Sequence, residues 1–437
     1  MIDLENLNIN LTQEERATLE GSQGPTMQKV LETVVLYGEA LGAEKLVDIE
    51  GDGHFVIPWC TPGIAPSLEM LDELAEAGLK TKYPFTLDPH APIDFENLGL
   101  SKDVEEKIEE MYQDQSRYDE RMMQLGLRDS EAYTCNPYQP EVGNIPRIGT
   151  IVAWSESSCA VFANSVLGAR TDRNGAIMDL LVNIVGKTPL VDVLTDEGRH
   201  ASWLIEVKTE LLPNPQLLGA AIGARVVADV PYIVGLDHFL RTELNPETLD
   251  YLQEMGAACA TYGAVGLYHV ENITPEAVEQ GRDLLLPGHS SHIVDDKELQ
   301  ELFDSYPILW SESEVIPEKC FIGCPHLSMN RLTWWANKID KALQLRGKDR
   351  LAIETVIFTS PQLLQKFKAD EKRYSRLMKA GVKLSASCSE TIYETGLYSG
   401  KPVLTNSNKL RAYTSARFFP DQELLEILVT GEVTRDS

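Results

Sequence analysis

The chain has 437 residues, a formal net charge of −28 and a hydrophobic fraction of 43%. This acidity argues against nucleic acid and anionic membrane surfaces as partners, because both require basic patches. No stretch reaches the ~20 apolar residues that span a bilayer, and the acidic residues 1–5 are unlike a signal peptide. We therefore expect a cytoplasmic protein with no membrane partner, large enough for two or three closely packed α/β units.

The seven cysteines are widely separated along the chain. They occur at positions 60, 135, 159, 259, 320, 324 and 388. Their odd number, the lack of a CxxC pair and the expected reducing compartment argue against a disulfide framework. A single free cysteine is most often a small buried hydrophobic residue. Any site built from several of them must be assembled by the tertiary fold.

The first part of the chain predicts two helices and a short strand before a glycine-rich turn. Thr12 and Glu15 have the spacing of a capping box, and a second, amphipathic helix covers residues 26–41. A strand at residues 45–50 is followed by a turn that carries His54. His54 is a candidate substrate ligand, because α/β proteins bind ligands beyond the ends of strands. A surface histidine without a function is the alternative.

The next elements lead to the first candidate cysteine. Residues 66–77 predict a helix, residues 79–85 a strand, and residues 101–125 a charged helix with a solvated face. Cys135 follows at a strand end, shortly before Pro137, which cannot pair regularly in a sheet. We expect its sulfur to be more exposed than that of a core cysteine.

The segment from residue 153 to residue 175 alternates small polar side chains with apolar ones over about six helical turns. Ser155 is predicted as the N-cap of a helix in this segment, and Arg170 ends it with a planar fork suited to a carboxylate or phosphate. The donors that a helix would bring toward one face are Ser157, Ser158, Asn164 and Ser165. We interpret these residues and Arg170 as candidate substrate ligands. A tightly packed core helix with satisfied hydroxyls is the alternative.

The second half of the chain alternates predicted strands and helices. Strands are predicted at residues 202–209, 232–235, 264–269, 320–326, 352–358 and 382–386, and helices at 249–263, 328–345 and 361–380. Cys324 and Cys388 lie at strand ends here, as Cys135 does earlier. Because α/β folds gather their sites at this edge, three thiolates could hold an iron–sulfur cluster with one open iron, or a catalytic zinc. Scattered structural cysteines are the alternative.

Several motifs resemble the aconitase X family in order and spacing. They are residues 135–138 (CNPY), 143–147 (GNIPR), 153–158 (AWSESS), 163–171 (ANSVLGART), 186–189 (GKTP), 273–277 (ITPEA) and 322–326 (IGCPH). The opening segment at residues 11–41 and the closing segment at 405–409 (TNSNK) are similar to the family as well. The resemblance thus covers nearly the whole chain.

The resemblance implies a hydro-lyase, a dehydratase of small hydroxy acids. Its fold would be α/β over residues 1–437, with an aconitase-like multi-domain arrangement around an iron–sulfur cluster and without the small swivelling domain. Cys135, Cys324 and Cys388 would hold the cluster, of the 4Fe-4S or 2Fe-2S type. The family's swivelling domain carries a catalytic serine and has no counterpart here. We therefore expect a separate small subunit to supply the catalytic base, and the chain alone to be inactive.

The resemblance also bounds the substrate. Family members dehydrate cis-3-hydroxy-L-proline in bacteria and 5-phosphomevalonate in archaea, and the glycine turn before His54 is closer to the bacterial enzymes. We expect cis-3-hydroxy-L-proline or a related hydroxy acid as the substrate. Phosphomevalonate, which would need extra basic residues, and a non-catalytic metal-binding homologue are the alternatives. Lys409 is the candidate charge partner of the substrate, with a solvated surface lysine as its alternative.

A few positions depart from the family pattern. Ser22 stands where the family normally has glutamate, and Asn136 where it usually has threonine. Residues 190–193 replace a common Tyr-Gly-Leu-His stretch, and Cys159 after the paired serines is an extra cysteine. These departures leave the predicted cluster ligands intact but touch expected substrate-facing positions.

Overall fold

The computed structural model describes residues 7–56, 64–91, 93–310, 316–394 and 400–433. Cys60 lies outside the described residues. The helices are α1 (Gln13–Leu19), α2 (Pro25–Leu41), α3 (Ile64–Glu76), α4 (Phe95–Leu98), α5 (Lys102–Met111), α6 (Gln115–Leu125), α7 (Ser157–Phe162), α8 (Ala176–Val185), α9 (Pro215–Val226), α10 (Pro246–Tyr262), α11 (Pro275–Gln280), α12 (Asp296–Asp304), α13 (Met329–Leu345), α14 (Pro361–Lys368), α15 (Glu371–Lys379), α16 (Thr391–Glu394), α17 (Asn408–Tyr413) and α18 (Asp421–Thr430).

The strands are β1 (Leu46–Asp48), β2 (Gly53–Phe55), β3 (Phe85–Leu87), β4 (Lys187–Pro189), β5 (Ala201–Lys208), β6 (Pro231–Val234), β7 (His269–Val270), β8 (Leu285–Asp295), β9 (Lys319–Leu327), β10 (Glu354–Thr359), β11 (Val382–Ser385), β12 (Val403–Thr405) and β13 (Arg417–Phe418). A five-stranded parallel sheet has the order β11-β10-β9-β12-β13, and a four-stranded parallel sheet the order β7-β6-β5-β8. Two small sheets pair β1 with β4 and β2 with β3.

Three large hydrophobic clusters form the interior. The first contains the inner faces of α2 and α8, where Val30, Leu31, Val34 and Val35 are buried at helical spacing. The second surrounds the four-stranded sheet, and the third surrounds the five-stranded sheet. The mixed α/β class with parallel sheets agrees with the predicted fold class.

The predicted capping box is present in α1. The Thr12 hydroxyl accepts from the Glu15 N–H at 3.2 Å, and the Glu15 carboxylate accepts from the Thr12 N–H at 2.7 Å. Two long helices predicted from the sequence are each divided: residues 101–125 form α5 and α6, and residues 361–380 form α14 and α15. Amphipathic periodicity continues across both breaks, so the pattern alone does not reveal them.

Several predicted strands differ from those in the structure. The strand expected at residues 79–85 is instead β3, which begins where that prediction ends, and the apolar run at 264–269 contributes only its last residue to β7. Strand β8 has no predicted counterpart, because Pro287 and Gly288 are turn signals and its side chains are largely exposed at a sheet edge. None of the helices in the described ranges has the length and apolar composition to cross a bilayer.

Candidate functional site

Cys324 lies where the central strand of the five-stranded sheet leaves its ladder. The pairing of β9 with β10 loses register between Ile357 and Thr359, so residues 323–326 oppose a single residue of β10. Gly323 makes this bulge possible with a φ of +106°, and a Cβ there would lie 2.5 Å from a backbone carbonyl of β10. The bulge displaces Cys324 from the regular sheet.

The two other predicted ligands also lie just beyond paired backbone. Cys388 follows β11 and donates its N–H to the carbonyl of His90 at 3.2 Å. Cys135 comes two residues after an isolated bridge that Tyr133 makes to β3. Cys135, Cys324 and Cys388 are all partly exposed, unlike three other cysteines of the described part, which are buried: Cys159, Cys259 and Cys320. Cys135 as a whole residue is therefore less buried than these core cysteines, in line with the expectation from the sequence.

The three thiols lie close enough to influence one another's ionisation. Burial raises the pKa of the Cys135 thiol well above its usual value, with further contributions from Asp88 and Cys324. Burial likewise raises the pKa of Cys388, and both Cys324 and Cys135 add to the effect. For Cys324, burial raises the pKa to about 11 against the opposing charge of Lys409. The tertiary fold thus brings three distant cysteines into one neighbourhood.

The donor set distinguishes between kinds of metal centre. Within the described ranges, no three His, Cys, Asp or Glu side chains are arranged to hold a single metal ion. A mononuclear zinc site needs every sulfur ligand at about 2.3 Å from one centre. In an iron–sulfur cluster, by contrast, the cysteines bind different irons and need only share a neighbourhood. Three partly exposed, mutually interacting thiols beside a lysine fit a cluster better than a zinc ion.

A buried ion pair between Lys409 and Glu156 lies beside the thiols. Lys409 Nζ is 2.7 Å from Glu156 Oε1, and the two side chains are 13% and 3% exposed. Burial opposes the ionisation of Glu156, but Lys409 and hydrogen bonds from Ser158 and the Cys159 N–H outweigh it, so the pKa of Glu156 falls far below its ordinary value. Burial alone would lower the pKa of Lys409, yet Glu156 and other nearby anionic groups raise it well above normal. Both groups are therefore charged, and Lys409 is not a solvated surface lysine.

Asp88 and His54 form a second pair in the same region. His54 is fully buried in β2; its Nδ1 is 2.9 Å from Thr86 Oγ1 and its Nε2 is 3.5 Å from Asp88 Oδ1. Asn144 Nδ2 donates to the same Thr86 oxygen at 3.0 Å. Burial raises the pKa of Asp88, and the neighbouring charge of Glu156 raises it further, against the effects of His54 and Lys409. The alternative of a surface histidine is thus excluded for His54.

The paired serines are connected to the site by hydrogen bonds to Glu156. Ser158 Oγ donates to Glu156 Oε2 at 2.6 Å, and Ser157 Oγ donates to Glu156 Oε1 at 3.3 Å. Glu156 is also the N-cap of α7, since its carboxylate accepts from the Cys159 N–H at 2.6 Å. The prediction of Ser155 as N-cap is therefore wrong: its hydroxyl instead accepts from a backbone N–H next to β2.

Asn164, Ser165 and Arg170 make contacts that stabilise the fold away from the cysteines. Asn164 is buried, and its amide group is hydrogen-bonded to backbone groups of two other segments. Ser165 accepts from a backbone N–H, and Arg170 pairs with Asp196 at the surface. The helix widens into a π-turn at residues 163–167, which rotates later side chains away from the face that regular helical spacing predicts. The expected convergence with Ser157 and Ser158 therefore does not occur.

Three residues of the site were not among the predicted ligands. Asp88 directly follows the β3 region, Glu156 precedes the paired serines, and His326 follows Cys324 by two residues. The His326 N–H donates to Cys135 Sγ at 3.2 Å, and burial lowers the pKa of its imidazole to about 4. The signal in the sequence that could have identified them is their position beside strand ends and predicted ligands. Chain position alone does not separate them from ordinary polar residues.

Two of the departures from the family pattern contact the cysteine segments. Asn136 Nδ2 donates to the carbonyl of His326 at 3.0 Å, and the Cys159 thiol donates to the carbonyl of Cys135 at 3.2 Å. Both side chains are buried. These residues support the segment that carries Cys135 rather than face an open cavity.

Comparisons with known proteins agree with this geometry. Residues 8–197 match the family profile described as Aconitase X first domain, and residues 201–304 match Aconitase X second domain. The phosphomevalonate dehydratase large subunit of Thermococcus kodakarensis is 32% identical over 407 residues, which cover 92% of this chain and 94% of that protein. The cis-3-hydroxy-L-proline dehydratase of Hypocrea jecorina is 29% identical over 282 residues, 62% of this chain and 43% of that protein.

A solved structure extends the likeness to three dimensions. The crystal structure of Thermococcus kodakaraensis aconitase X in its holo-form superposes with a TM-score of 0.78 at 29% identity, covering 97% of this chain and 100% of that chain. An α/β fold that gathers thiols and acid–base groups, together with relatives named as dehydratases, defines a hydro-lyase. The chain belongs to the aconitase X family. Among its relatives, the phosphomevalonate enzymes match more of the chain than the hydroxyproline enzymes, which favours the alternative substrate over the one expected from the sequence.

Proposed function

We propose that the chain is the large subunit of an iron–sulfur dehydratase, with Cys135, Cys324 and Cys388 as the cluster ligands. One observation carries the proposal: the three thiols influence one another's pKa values and lie beside the buried Lys409–Glu156 pair. Cysteines bind iron as thiolates, and the charge of Lys409 opposes the rise in the pKa of Cys324 that burial causes. When bound, the cluster would supply a Lewis acid that polarises a substrate hydroxyl.

The remaining residues of the site provide charge and proton control. Lys409 offers a buried ammonium group to an anionic substrate, and Glu156 holds that group in place until the substrate arrives. The hydroxyls of Ser157 and Ser158 donate to Glu156 in this structure. With a substrate bound, the same hydroxyls could donate to one of its oxygens instead. Fixed donors and charges of this kind orient a substrate for elimination without reorganising during the reaction.

Asp88 is our candidate for the acid that donates a proton to the departing hydroxyl. Its raised pKa favours the protonated carboxyl, and Nε2 of the fully buried His54 lies 3.5 Å from Asp88 Oδ1. A protonated Asp88 would donate to the departing hydroxyl, which then leaves as water. We propose that the base for the carbon-bound proton comes from the small subunit, as the resemblance to the family implies.

We propose 5-phosphomevalonate as the substrate and cis-3-hydroxy-L-proline as the second candidate. The similarity to phosphomevalonate dehydratase large subunits over 92% of the chain supports the first choice. Shorter matches to hydroxyproline dehydratases support the second. Lys409 supplies one cation for a phosphorylated acid, so the small subunit would have to contribute further phosphate contacts.

The proposal is tested by producing the chain anaerobically together with a small subunit. Iron and acid-labile sulfide should be present in the purified complex, and product formation is followed with both substrates. Cys135→Ser and Cys388→Ser should lose most of the iron. The matched control Cys259→Ser should retain it, because this buried cysteine lies in the hydrophobic core around the four-stranded sheet. Turnover of hydroxyproline alone would reverse the choice of substrate. An iron-free wild-type complex, or one that turns over neither compound, would favour the non-catalytic homologue.

A further inference from the structure

We propose that His326 is a positioning residue that ties the three cysteine-bearing segments into one frame before a cluster is bound. The identity of the bound group rests on the proposed function, whereas the frame itself is visible in the contacts of this side chain. His326 is only 1% exposed. It follows Cys324 by two residues and contacts the segments of both Cys135 and Cys388.

Every polar atom of His326 takes part in these contacts. Its N–H donates to Cys135 Sγ at 3.2 Å, and its carbonyl accepts from Asn136 Nδ2 at 3.0 Å. Nδ1 of the ring is 3.1 Å from Thr134 Oγ1, and Nε2 is 3.1 Å from the carbonyl oxygen of Ser387. One residue of the Cys324 segment therefore reaches the neighbours of both other cysteines.

The partners fix the tautomer of the ring. The Ser387 carbonyl can only accept, so Nε2 must carry the proton. Nδ1 of the neutral ring is then an acceptor, and the Thr134 hydroxyl donates to it. The same hydroxyl oxygen accepts from the Asn136 N–H at 3.0 Å. The result is a continuous chain of hydrogen bonds, from the segment of Cys135 through His326 to the residue before Cys388.

Loss of the ring would leave the Ser387 carbonyl and the Thr134 hydroxyl without these partners in a buried region. Each group would then move to find water or another partner, and each is adjacent in sequence to a proposed cluster ligand. Groups that orient metal ligands in this way commonly change metal affinity when they are removed, even though they never touch the metal. Cluster affinity and the reactivity of the thiols should therefore both depend on His326.

The test compares His326→Ala with the matched control His269→Ala. His269 is equally buried and also bonds a carbonyl through Nε2, that of Arg199 at 2.8 Å, but it lies in the four-stranded sheet. After anaerobic reconstitution, H326A should bind the cluster about 10- to 100-fold more weakly than wild type. Its electron paramagnetic resonance signal should also be altered, whereas H269A should match wild type in iron, sulfide and signal.

A second measurement uses the folded protein without iron. The alkylation rates of Cys135, Cys324 and Cys388 are followed by mass spectrometry. We expect a several-fold faster reaction of Cys388 in H326A and an unchanged rate in H269A. If H326A does not fold, His326→Gln takes its place, because its amide N–H can keep the bond to Ser387 while the acceptor for Thr134 is lost. The alkylation rate of Cys388 in His326→Gln should lie between the rate of wild type and the rate expected for His326→Ala.

The outcomes separate this role from the proposed function. Wild-type alkylation rates in a folded His326 variant would overturn the positioning role, whether or not iron binds. Altered thiol rates in a chain that never binds iron would support the frame and refute the cluster. A stability loss alone, with unchanged thiol rates and an unchanged cluster signal, would also overturn the role, since it would show His326 to be an ordinary core residue.

Discussion

Lys409 and Glu156 are 253 positions apart in the chain, yet they form one buried pair 2.7 Å apart. Either charge alone would be costly in this environment, because burial opposes ionisation of the carboxylate and of the ammonium group. Their mutual attraction and the hydrogen bonds to Glu156 offset that cost. A buried pair of this kind is sensitive to the loss of one partner and tolerant of the loss of both.

We therefore predict that Lys409→Met destabilises the protein by about 3–5 kcal/mol, because Glu156 is left as a buried, unpaired charge. The double variant Lys409→Met with Glu156→Gln should recover most of this loss. Urea unfolding at pH 7, followed by circular dichroism, measures both free energies of unfolding. If the single and double variants are equally stable, Lys409 does not stabilise the protein by compensating the charge of Glu156.

Asp179 differs from Glu156, because no cationic side chain in the described part of the chain pairs with it. It is fully buried in α8, and burial raises its pKa to about 7 against hydrogen bonds from Asn174 and Gly175. Asp179 Oδ2 and Asn174 Oδ1 are both buried without a hydrogen-bond partner, so a protonated carboxyl would gain an acceptor that the ionised form lacks. Asp172, itself shifted to about 7 by burial and by two nearby aspartates, faces the same region.

The sign of the resulting pH dependence follows from linkage. With a pKa of about 7 in the folded state and 3.8 when unfolded, Asp179 binds its proton more tightly in the folded protein. Its contribution to stability is therefore full below pH 4 and declines as the pH rises to 7, by about 4 kcal/mol at most.

Asp179→Asn should thus unfold at a higher temperature than wild type at pH 8 and show a much smaller gain at pH 4.5. Differential scanning calorimetry at the two pH values checks this expectation. Asp283→Asn, at an exposed aspartate, is the control for a general effect of removing one negative charge. A gain of equal size at both pH values would contradict the raised pKa.

At the scale of elements, helices α9 and α10 pack unusually closely beside the four-stranded sheet. A Cβ added at Gly219 would overlap with the carbonyl of Met255, and one at Gly223 would lie 2.6 Å from the carbonyl of Cys259. The glycines at these two positions therefore allow the two backbones to approach each other. Because the obstacle is backbone rather than a flexible side chain, the helices must separate to accept a larger residue.

We expect Gly219→Ala to destabilise the protein by about 1–3 kcal/mol, although alanine is the better helix former. Gly266→Ala is the matched control, because no atom of the residues that the structure describes lies within 4 Å of a Cβ at that position. Its effect should be within about 0.5 kcal/mol. Thermal unfolding of both variants measures the difference. A neutral Gly219→Ala would mean that the two helices adjust without loss of packing.

For the whole molecule, the proposed division of labour puts the cluster ligands on this chain and the base on a partner. The isolated chain should then bind iron and sulfide and remain inactive. Titration with the small subunit should restore turnover in proportion to the complex formed, as followed by size-exclusion chromatography. A complex with Cys388→Ser should assemble equally well without turnover. Full activity of the isolated chain would refute this division.

Local features of the chain were predictable because they depend on neighbours in sequence. The capping box at Thr12, the apolar spacing of α2 and the strand–helix alternation all follow from residue patterns within one or two turns. The greater exposure of Cys135 was also predictable, since Pro137 ends regular pairing there. The family followed from long motifs, which are local strings of residues as well.

The contents of the site were decided by the tertiary structure. The residue types of the segment predict Asn164 and Arg170 at the site, whereas in the structure Asn164 bonds backbone groups of other segments and Arg170 pairs with Asp196. The bulge at Gly323 depends on the register between two strands, which no local pattern specifies. Asp88, Glu156 and Lys409 interact only after sheets and loops far apart in the chain have packed together.

The sequence by itself determined the fold class, the family and the three cysteines proposed as ligands. Only the tertiary structure decided which polar groups surround them, and in which charge state. The physical reason is that helix and strand patterns arise from the backbone repeat over a few residues, whereas burial and ion pairing depend on groups that the fold brings together. Lys409 has the charge of any lysine in the sequence, and its pairing with Glu156 exists only in the folded chain.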